Sequence, residues 1–184
     1  MSLAAFNLET YSQIVAAYYG IAGVTIRPAR KADFPRLAEI QVQALCNSRL
    51  GRDGPHLVQR YIERHLRQTL ALCQSPTFFV ATNDETVIGC GGWTDVSAEA
   101  GSLPCAVAFY VDPSHSGRKI GRSLLAVSEA SAKKSGVDSL LAFVPQGVTA
   151  MFRNAGYSAG DIVPYDLGHS LAIELQLMRK WLSH

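Results

Sequence analysis

The sequence lacks three features that often reveal a function at once. No apolar run approaches the roughly 20 residues that a membrane span needs, and charge is balanced, because 17 Lys and Arg face 15 Asp and Glu for a net charge of +2. No two cysteines have the two-residue spacing of a zinc knuckle or a redox motif; the four are Cys46, Cys73, Cys90 and Cys105. We therefore expect no membrane association, no metal site and no nucleic-acid partner.

The composition is that of an ordinary globular protein. Of its 184 residues, 48% are hydrophobic, which is enough for one domain to bury a core without metal or disulfide. Scattered thiols are typical of a reducing compartment. The first arginine is Arg27, so the N-terminus has no positive region of a signal peptide. These observations predict a cytoplasmic protein with reduced cysteines.

Apolar periodicity predicts a mixed α/β sheet. Residues 1–23 are interpreted as an N-terminal helical extension, and residues 24–184 as the domain proper. Within the domain we predict, in order, a strand, two helices, three antiparallel strands, and then helix, strand, helix, strand. The predicted segments are 24–27, 33–45, 55–72, 78–81, 87–93, 105–111, 120–136, 140–144, 148–155 and 171–178, with polar loops at 47–54 and before 105 and an edge-compatible last strand.

The most informative stretch runs from Val111 to Leu125, where a strand ends, a polar loop turns and a helix begins. The unpaired amides of a helix's first turn favour an anion, and Gly117 and Gly121 allow close approach to the backbone. Three basic side chains lie in the same turn: Arg118, Lys119 and Arg122. A di- or triphosphate group is the predicted ligand; the alternative is a loop that only caps a basic helix.

The glycine spacing excludes two other phosphate sites. A P-loop has four residues between its glycines and then a lysine, whereas here three residues separate Gly117 from Gly121, and Arg122 follows. The dinucleotide fingerprint needs a third glycine and an acidic residue on the next strand, and neither is present. The chain is therefore predicted to be neither an ATPase nor a dinucleotide-dependent enzyme.

From Val24 to Lys180 the chain resembles the GNAT superfamily of acetyl-CoA-dependent N-acetyltransferases. The order and spacing of four places carry the resemblance. They are Thr25-Ile26-Arg27-Pro28-Ala29 with Asp33, then Ile88-Gly89-Cys90-Gly91-Gly92-Trp93, then Tyr110 to Leu125, and last Met151-Phe152-Arg153-Asn154-Ala155-Gly156-Tyr157 with Met178-Arg179-Lys180.

The resemblance implies a fold, an activity and a cosubstrate. The fold is α/β (α+β): a mixed, mostly antiparallel central sheet flanked by helices, whose parallel pair splays at the cofactor cleft. The activity is transfer of an acetyl group from acetyl-CoA to a primary amine of a small molecule or peptide, by direct attack in a ternary complex. The residues implied to hold the cofactor are Phe109, Tyr110 and Val111 at the pantetheine arm, and Ser116, Gly117, Arg118, Lys119, Ile120, Gly121, Arg122 and Ser123 at the pyrophosphate. A homodimer is a further expectation.

The sequence departs from the family pattern at several positions. The family's loop pattern has Gln or Arg at its first position and Gly or Ala at the other two. Here these positions hold Ser116, Lys119 and Gly121, and only Gly121 matches. Lys119 either clashes with the cofactor or pairs with a phosphate. Phe152 stands where the family often has the tyrosine that protonates the thiolate, and residues 105–111 contain no acid. No catalytic residue is therefore predicted.

Weaker candidates surround the expected acceptor site. Candidate bases are Asp95, Glu99 and His115, and Tyr110 ends the central strand near the expected thioester. The 47–54 loop contains Arg49, Arg52 and Asp53, and its two arginines are candidates to bind a carboxylate on the acceptor. Trp93 and Tyr165 are candidates to line an acceptor pocket. Two other functions stay open: a CoA-binding module with little turnover, and an interaction protein whose Lys119 blocks the cofactor.

Overall fold

The computed structural model describes residues 7–21, 23–98 and 101–182. Within them, seven strands form one sheet: β1 (Val24–Pro28), β2 (Phe78–Asn83), β3 (Thr86–Ala98), β4 (Gly101–Val111), β5 (Ser139–Pro145), β6 (Ser158–Gly168) and β7 (Leu171–Trp181). The helices are α1 (Leu8–Tyr19), α2 (Phe34–Cys46), α3 (Arg49–Asp53), α4 (Pro55–Leu72), α5 (Ile120–Lys134) and α6 (Thr149–Arg153). In these residues no helix has the length and apolarity that a membrane crossing requires.

The sheet has the strand order β1-β2-β3-β4-β5-β7-β6. Every neighbouring pair is antiparallel except β4 and β5, which run parallel and are joined through α5. A parallel pair needs such a crossover because a short turn cannot return the chain to the same end of the sheet. The predicted mixed, mostly antiparallel sheet flanked by helices is confirmed.

The two parallel strands separate soon after they meet. Their ladder consists of Cys105 opposite Leu141 and Ala106 opposite Ala142. β4 then continues to Val111 and β5 to Pro145 with no further ladder between them in the described residues. The result is a V-shaped gap that opens toward the carboxyl ends of both strands, which is the splay predicted from the sequence.

A β-bulge bends β4 beside this gap. The register with β3 shifts between Cys90–Tyr110 and Gly92–Val107, and Ala108 adopts a left-handed φ of 55°. Gly91 faces the bulge, and a Cβ there would lie 2.3 Å from the Phe109 ring. The glycines of β3 therefore make room for a bulge that turns part of the β4 backbone out of the ladder.

Helices cover both faces of the sheet. Buried residues of α5 and α6, including Leu125 and Phe152, pack on one face, and Leu37 and Ile40 of α2 pack on the other with Phe78. On the α5 side, α1 contributes Val15 to a cluster shared with β1 to β3. The N-terminal helix thus packs on the domain, and the division of the chain at residues 23 and 24 stays a prediction.

The structure corrects the predicted elements in four places. The 47–54 loop contains α3, and the segment before residue 105 is already part of β4, where Pro104 pairs with Asp95. Among the described residues the β4–β5 ladder begins only at Cys105, so β4 is an edge strand at Pro104, a position where proline is tolerated.

The other two corrections concern the C-terminal hairpin. β6 was missed because Gly160 and Pro164 interrupt its pattern and its side chains are mostly exposed. Since β6 forms the edge of the sheet, β7 lies between β5 and β6 and is not an edge strand.

Candidate functional site

The loop that joins β4 to α5 presents a run of free backbone donors. The N–H groups of residues 117 to 122 have no hydrogen-bond acceptor in the part of the chain that the structure describes, and the next donor, Ser123 N, bonds to the Lys119 carbonyl at 3.0 Å. Gly117 turns the chain with a φ of 76°, and Lys119 starts α5 with a φ of 62°. Consecutive free amides at a helix N-terminus form a concave anion site. We call residues 112–122 the anion loop.

Asp112 fixes the shape of the anion loop. Its Oδ1 accepts hydrogen bonds from the Ser114 backbone at 2.9 Å and from the Ser114 hydroxyl at 2.5 Å, and its Oδ2 pairs with the Arg36 guanidinium. The Asp112 backbone N–H also bonds to the Ile88 carbonyl at 2.8 Å. The Ser114 bonds and the Arg36 charge lower the pKa of Asp112, although burial opposes them. An ionised, buried carboxylate therefore anchors the loop to α2 and β3.

The basic side chains of the anion loop lie beside the end of α1. Arg118 and Lys119 are exposed, and both line a cavity of about 190 Å³ shared with Tyr19, Gly20 and Ile21 at the end of α1. Arg122 donates from Nε to the Tyr19 hydroxyl at 3.2 Å. The N-terminal helix thus contacts the basic side chains.

Gly121 allows close packing at the start of α5. A Cβ at Gly121 would lie 3.0 Å from Met151 Sδ and 3.6 Å from Val111 Cγ2. Ile120 and Ser123, both predicted contacts, are buried beneath the first turn, so only their backbone N–H groups can face a ligand there. Since the Ser123 N–H is already bonded, Ile120 retains a free donor and Ser123 does not.

Phe109, Tyr110 and Val111 occupy the strand that borders the gap. The Phe109 ring lies over Gly91 and meets Phe152 edge to face, with 5.9 Å between ring centroids. Tyr110 faces the opposite side of the sheet, where Gln41 Nε2 approaches its hydroxyl at 3.4 Å. Burial raises the pKa of Tyr110 well above its usual value, and the neighbouring Tyr61 hydroxyl raises it further. Tyr110 therefore stays protonated.

Phe152 is buried among aromatic rings. Its ring also meets Tyr157 edge to face at 5.2 Å, and the Tyr157 hydroxyl is buried without a hydrogen-bond partner at a standard distance in the described residues. Burial, with Glu129 nearby, raises the pKa of Tyr157. Neither residue offers an accessible proton donor to the gap.

A group of polar aromatic side chains lies on the sheet face opposite Phe109. Only two of its members, Tyr110 and Tyr165, are candidates predicted from the sequence. Tyr61 stacks on His65 with 4.0 Å between centroids, and His65 Nε2 lies 2.9 Å from the Tyr165 hydroxyl. Arg64 Nε donates to the same hydroxyl at 3.2 Å, and the Tyr61 hydroxyl lies beside the Tyr110 hydroxyl. We call Tyr61, Arg64, His65, Tyr110 and Tyr165 the tyrosine–histidine cluster.

Sequence reasoning missed three members of this cluster for a physical reason. Tyr61 and His65 are one turn apart on α4, so their spacing was visible. Tyr165, however, comes from β6, about 100 positions later, and only the fold brings it to them. From the sequence, Tyr61 is predicted to lie on the apolar stripe of α4, together with Leu57, Ile62, Leu66 and Leu70.

The basic segment before α4 borders the same side. Arg49 of α3 donates to the Gln146 side chain at 3.2 Å, just past the end of β5, and lies 3.8 Å from Asp53. Arg52 is exposed. Arg49 therefore lies beside the β5 end of the gap, as expected for a loop near the acceptor, but it is already partly paired.

The candidate bases and Trp93 do not gather at the gap. Asp95 lies opposite Pro104, at the end of β4 far from the anion loop, and Glu99 is outside the described residues. His115 bonds through Nδ1 to Ser114 Oγ at 2.9 Å, inside the anion loop. Trp93 is buried and donates to Ser131 of α5 at 3.2 Å, so it is a core residue and not part of an acceptor pocket.

Comparison with known proteins agrees with this geometry. Residues 74–159, just under half of the chain, match the family model described as the acetyltransferase (GNAT) domain. None of the curated proteins compared with this chain matches it.

Solved structures match over most of the chain. A GCN5-related N-acetyltransferase from Rhodopseudomonas palustris is 18% identical with a TM-score of 0.72, covering 87% of this chain and 96% of that one. The PaiA N-acetyltransferase from Thermoplasma acidophilum, in complex with coenzyme A, is 20% identical with a TM-score of 0.63, covering 86% and 98%. A ribosomal-protein-alanine N-acetyltransferase from Brucella melitensis is 23% identical with a TM-score of 0.62, covering 85% and 98%. The resemblance to the GNAT superfamily is confirmed, and the chain has the GNAT fold.

Proposed function

We propose that this GNAT-fold chain transfers an acetyl group from acetyl-CoA to a primary amine of a small molecule or peptide, by direct attack in a ternary complex. The observation that carries the proposal is the run of six free amides, residues 117 to 122, at the carboxyl end of a strand that splays from its parallel neighbour. The amides suit a diphosphate, and the gap suits an extended arm.

The residues present fit such a cosubstrate. Gly117 has open space where a Cβ would lie, so a bulky anion can approach the backbone. The diphosphate would be held by the amides of residues 117 to 122, with Ser116 at the loop entrance and the charges of Arg118, Lys119 and Arg122 beside it. The free edge of β4 from Phe109 to Val111 would hold the pantetheine arm. Of the binding residues predicted from the sequence, Ser123 offers no free amide, because its N–H is already bonded to the Lys119 carbonyl.

Lys119 is compatible with binding. Because it starts α5 in the left-handed region, its backbone supplies the turn that a glycine would supply. Its side chain is exposed and lines the cavity at the end of α1. Of the two alternatives for Lys119, pairing with a phosphate is therefore favoured over blocking the cofactor.

Acetyl-CoA supplies an acetyl thioester, which an amine attacks to give an amide and the free thiol. The chain's own contribution is to hold the two reactants together, which by itself can account for a large part of a rate enhancement. Backbone donors of the bulged β4 are suited to polarising a carbonyl at the gap. The amine must lose a proton before it attacks.

The alternative is a CoA-binding module with little turnover. Phe152 favours it, because the position lacks a hydroxyl and is buried in a ring cluster. A homodimer and a cytoplasmic location stay predictions from the sequence.

The test combines binding with thiol release. Isothermal titration of the wild type with acetyl-CoA is followed by a thiol-release assay with spermidine, tyramine, lysine, glutamate and an alanine-initiated tripeptide. We expect saturable binding and release with at least one amine. Binding without release across this panel would favour the module, and absence of binding would overturn both.

A matched pair of charge reversals connects binding to the anion loop. Arg118→Glu should weaken acetyl-CoA binding about tenfold or more, because it places a negative charge beside the amides. Arg67→Glu makes the same change on an exposed position of α4 and should leave the dissociation constant within twofold. Equal effects of the two reversals would mean that only overall charge matters.

A further inference from the structure

The tyrosine–histidine cluster joins the two sides of the gap. Tyr110 belongs to β4, whose far half has left β5, and the Tyr61 hydroxyl of α4 lies beside the Tyr110 hydroxyl. Tyr165 lies opposite Ile173 in the β6–β7 hairpin, while β5 ends at Pro145 opposite Leu175. The hairpin therefore extends past the end of β5 and meets α4 there. The cluster lies on the face of the sheet opposite Phe109.

The hydrogen bonds of His65 define its tautomer. Nδ1 lies 2.7 Å from the Tyr61 carbonyl oxygen, which can only accept, so Nδ1 carries the proton. In the neutral ring Nε2 then has a free lone pair, and the Tyr165 hydroxyl at 2.9 Å donates to it. The Tyr165 oxygen accepts from Arg64 and keeps a second lone pair. Both residues are half-buried, so part of each is open to solvent.

We propose that Tyr165 contacts the acceptor amine and passes its proton to His65. An N–H bond of the incoming ammonium breaks and its proton moves to the Tyr165 oxygen, while the Tyr165 O–H breaks and its proton moves to His65 Nε2. The products are the neutral amine, a neutral tyrosine and an imidazolium, which returns its proton to solvent. This inference rests on the proposed acetyl transfer, and it names the missing acid–base group.

The surroundings of His65 keep it ready to accept a proton at neutral pH. Burial lowers its pKa below the usual 6.5; the Tyr61 carbonyl opposes this, and the Arg64 charge lowers the pKa further. The other titratable side chains of the cluster are Tyr165 from β6 and, beyond Tyr61, Tyr110 from β4. The positive charge of Arg64 also disfavours an ammonium beside Tyr165, which promotes the loss of the amine's proton.

The first experiment measures rate against pH with the fastest amine of the panel. The wild-type rate should fall at a pH below 6.5, where His65 becomes protonated. His65→Gln keeps an acceptor for Tyr165 and should lower kcat about 100-fold while removing this acid limb. Tyr165→Phe should do the same. The control is His56→Gln, an exposed histidine in the first turn of the same helix, which should change neither. Retention of the acid limb in His65→Gln, with kcat within threefold, would overturn the proposal.

The second experiment does not depend on turnover. Nitrogen-15 NMR of the imidazoles should show His65 as the Nδ1–H tautomer, and Tyr165→Phe should shift its Nε2 resonance and its pKa. The Nε2–H tautomer would overturn the relay, because Nε2 would then be unable to accept. If no amine of the panel reacts, the proposed transfer fails, and the NMR result still decides whether the Tyr165–His65 hydrogen bond has the required direction.

Discussion

The anion loop and the tyrosine–histidine cluster both adjoin β4 and are built in different ways. The loop binds through its backbone, and its residues are neighbours in the chain. The cluster acts through side chains from α4, β4 and β6, which the fold must bring together. A backbone site tolerates change in most of its side chains, whereas a side-chain site loses its chemistry with one substitution. The anion loop therefore depends on the few residues that set its shape.

Removal of the Asp112 carboxylate should have the largest effect on the loop. Asp112→Ala removes one partner of the Arg36 guanidinium, which keeps Glu39 and the Val87 carbonyl, and it releases Ser114. Because the hydrogen bonds to an ionised carboxylate are lost, the free energy of unfolding should fall by about 3 kcal/mol. CoA affinity should fall at least tenfold because the amides lose their alignment. Chemical denaturation and calorimetry measure the two effects.

The control for this change is Glu63→Ala, which removes an exposed ion pair with Arg60. It should cost no more than about 0.5 kcal/mol. A similar small cost for Asp112→Ala would mean that the loop holds its shape by backbone bonds alone and that Asp112 does not set it.

Acid should destabilise the protein through two buried carboxylates, Asp112 and Asp33. The pKa of Asp112 and of Asp33 is lowered in the folded state, in Asp33 chiefly by its hydrogen bonds to Arg27. Their stabilisation is therefore complete above the unfolded pKa of about 3.9 and is lost as the pH falls through the lower folded value. The free energy of unfolding should decline below about pH 4, and less steeply in Asp112→Asn. An identical decline in both proteins would contradict the role of Asp112.

An intermediate effect is expected at the bulge. A Cβ at Gly91 would overlap the Phe109 ring at 2.3 Å, so Gly91→Ala should lower the free energy of unfolding by about 2 kcal/mol and weaken CoA binding. In the Gly91→Ala background, Phe109→Ala removes the overlap and should cost less than it does alone. A double-mutant cycle tests this; additive costs would mean that Gly91 and Phe109 do not touch.

The smallest effect is expected at Lys119. Lys119→Gly removes a side chain from a left-handed position, so the protein should gain about 1 kcal/mol of stability. Because the amides do most of the binding, CoA affinity should change by less than about threefold. A loss of tenfold or more would show that the lysine charge is a main contact and that this side of the gap also depends on side chains.

The contrast also explains what the sequence could predict. The anion loop, α5 and the parallel pair were all predictable, because a strand end, two glycines and an apolar helix follow one another in Val111–Leu125. The position of Asp112 as an anchor was not, since its partner Arg36 is 76 positions away. The cluster was least predictable, because nothing local to His65 indicates a tyrosine on β6. The missed strand itself carries Tyr165.

The most direct test of the backbone site is amide NMR of the wild type during titration with coenzyme A. The N–H resonances of residues 117 to 122 should move downfield together and saturate, with changes larger than those of any other continuous segment, because each donor gains an anionic acceptor. Saturable binding that leaves these six resonances in place would contradict the account, as would the absence of any saturable change.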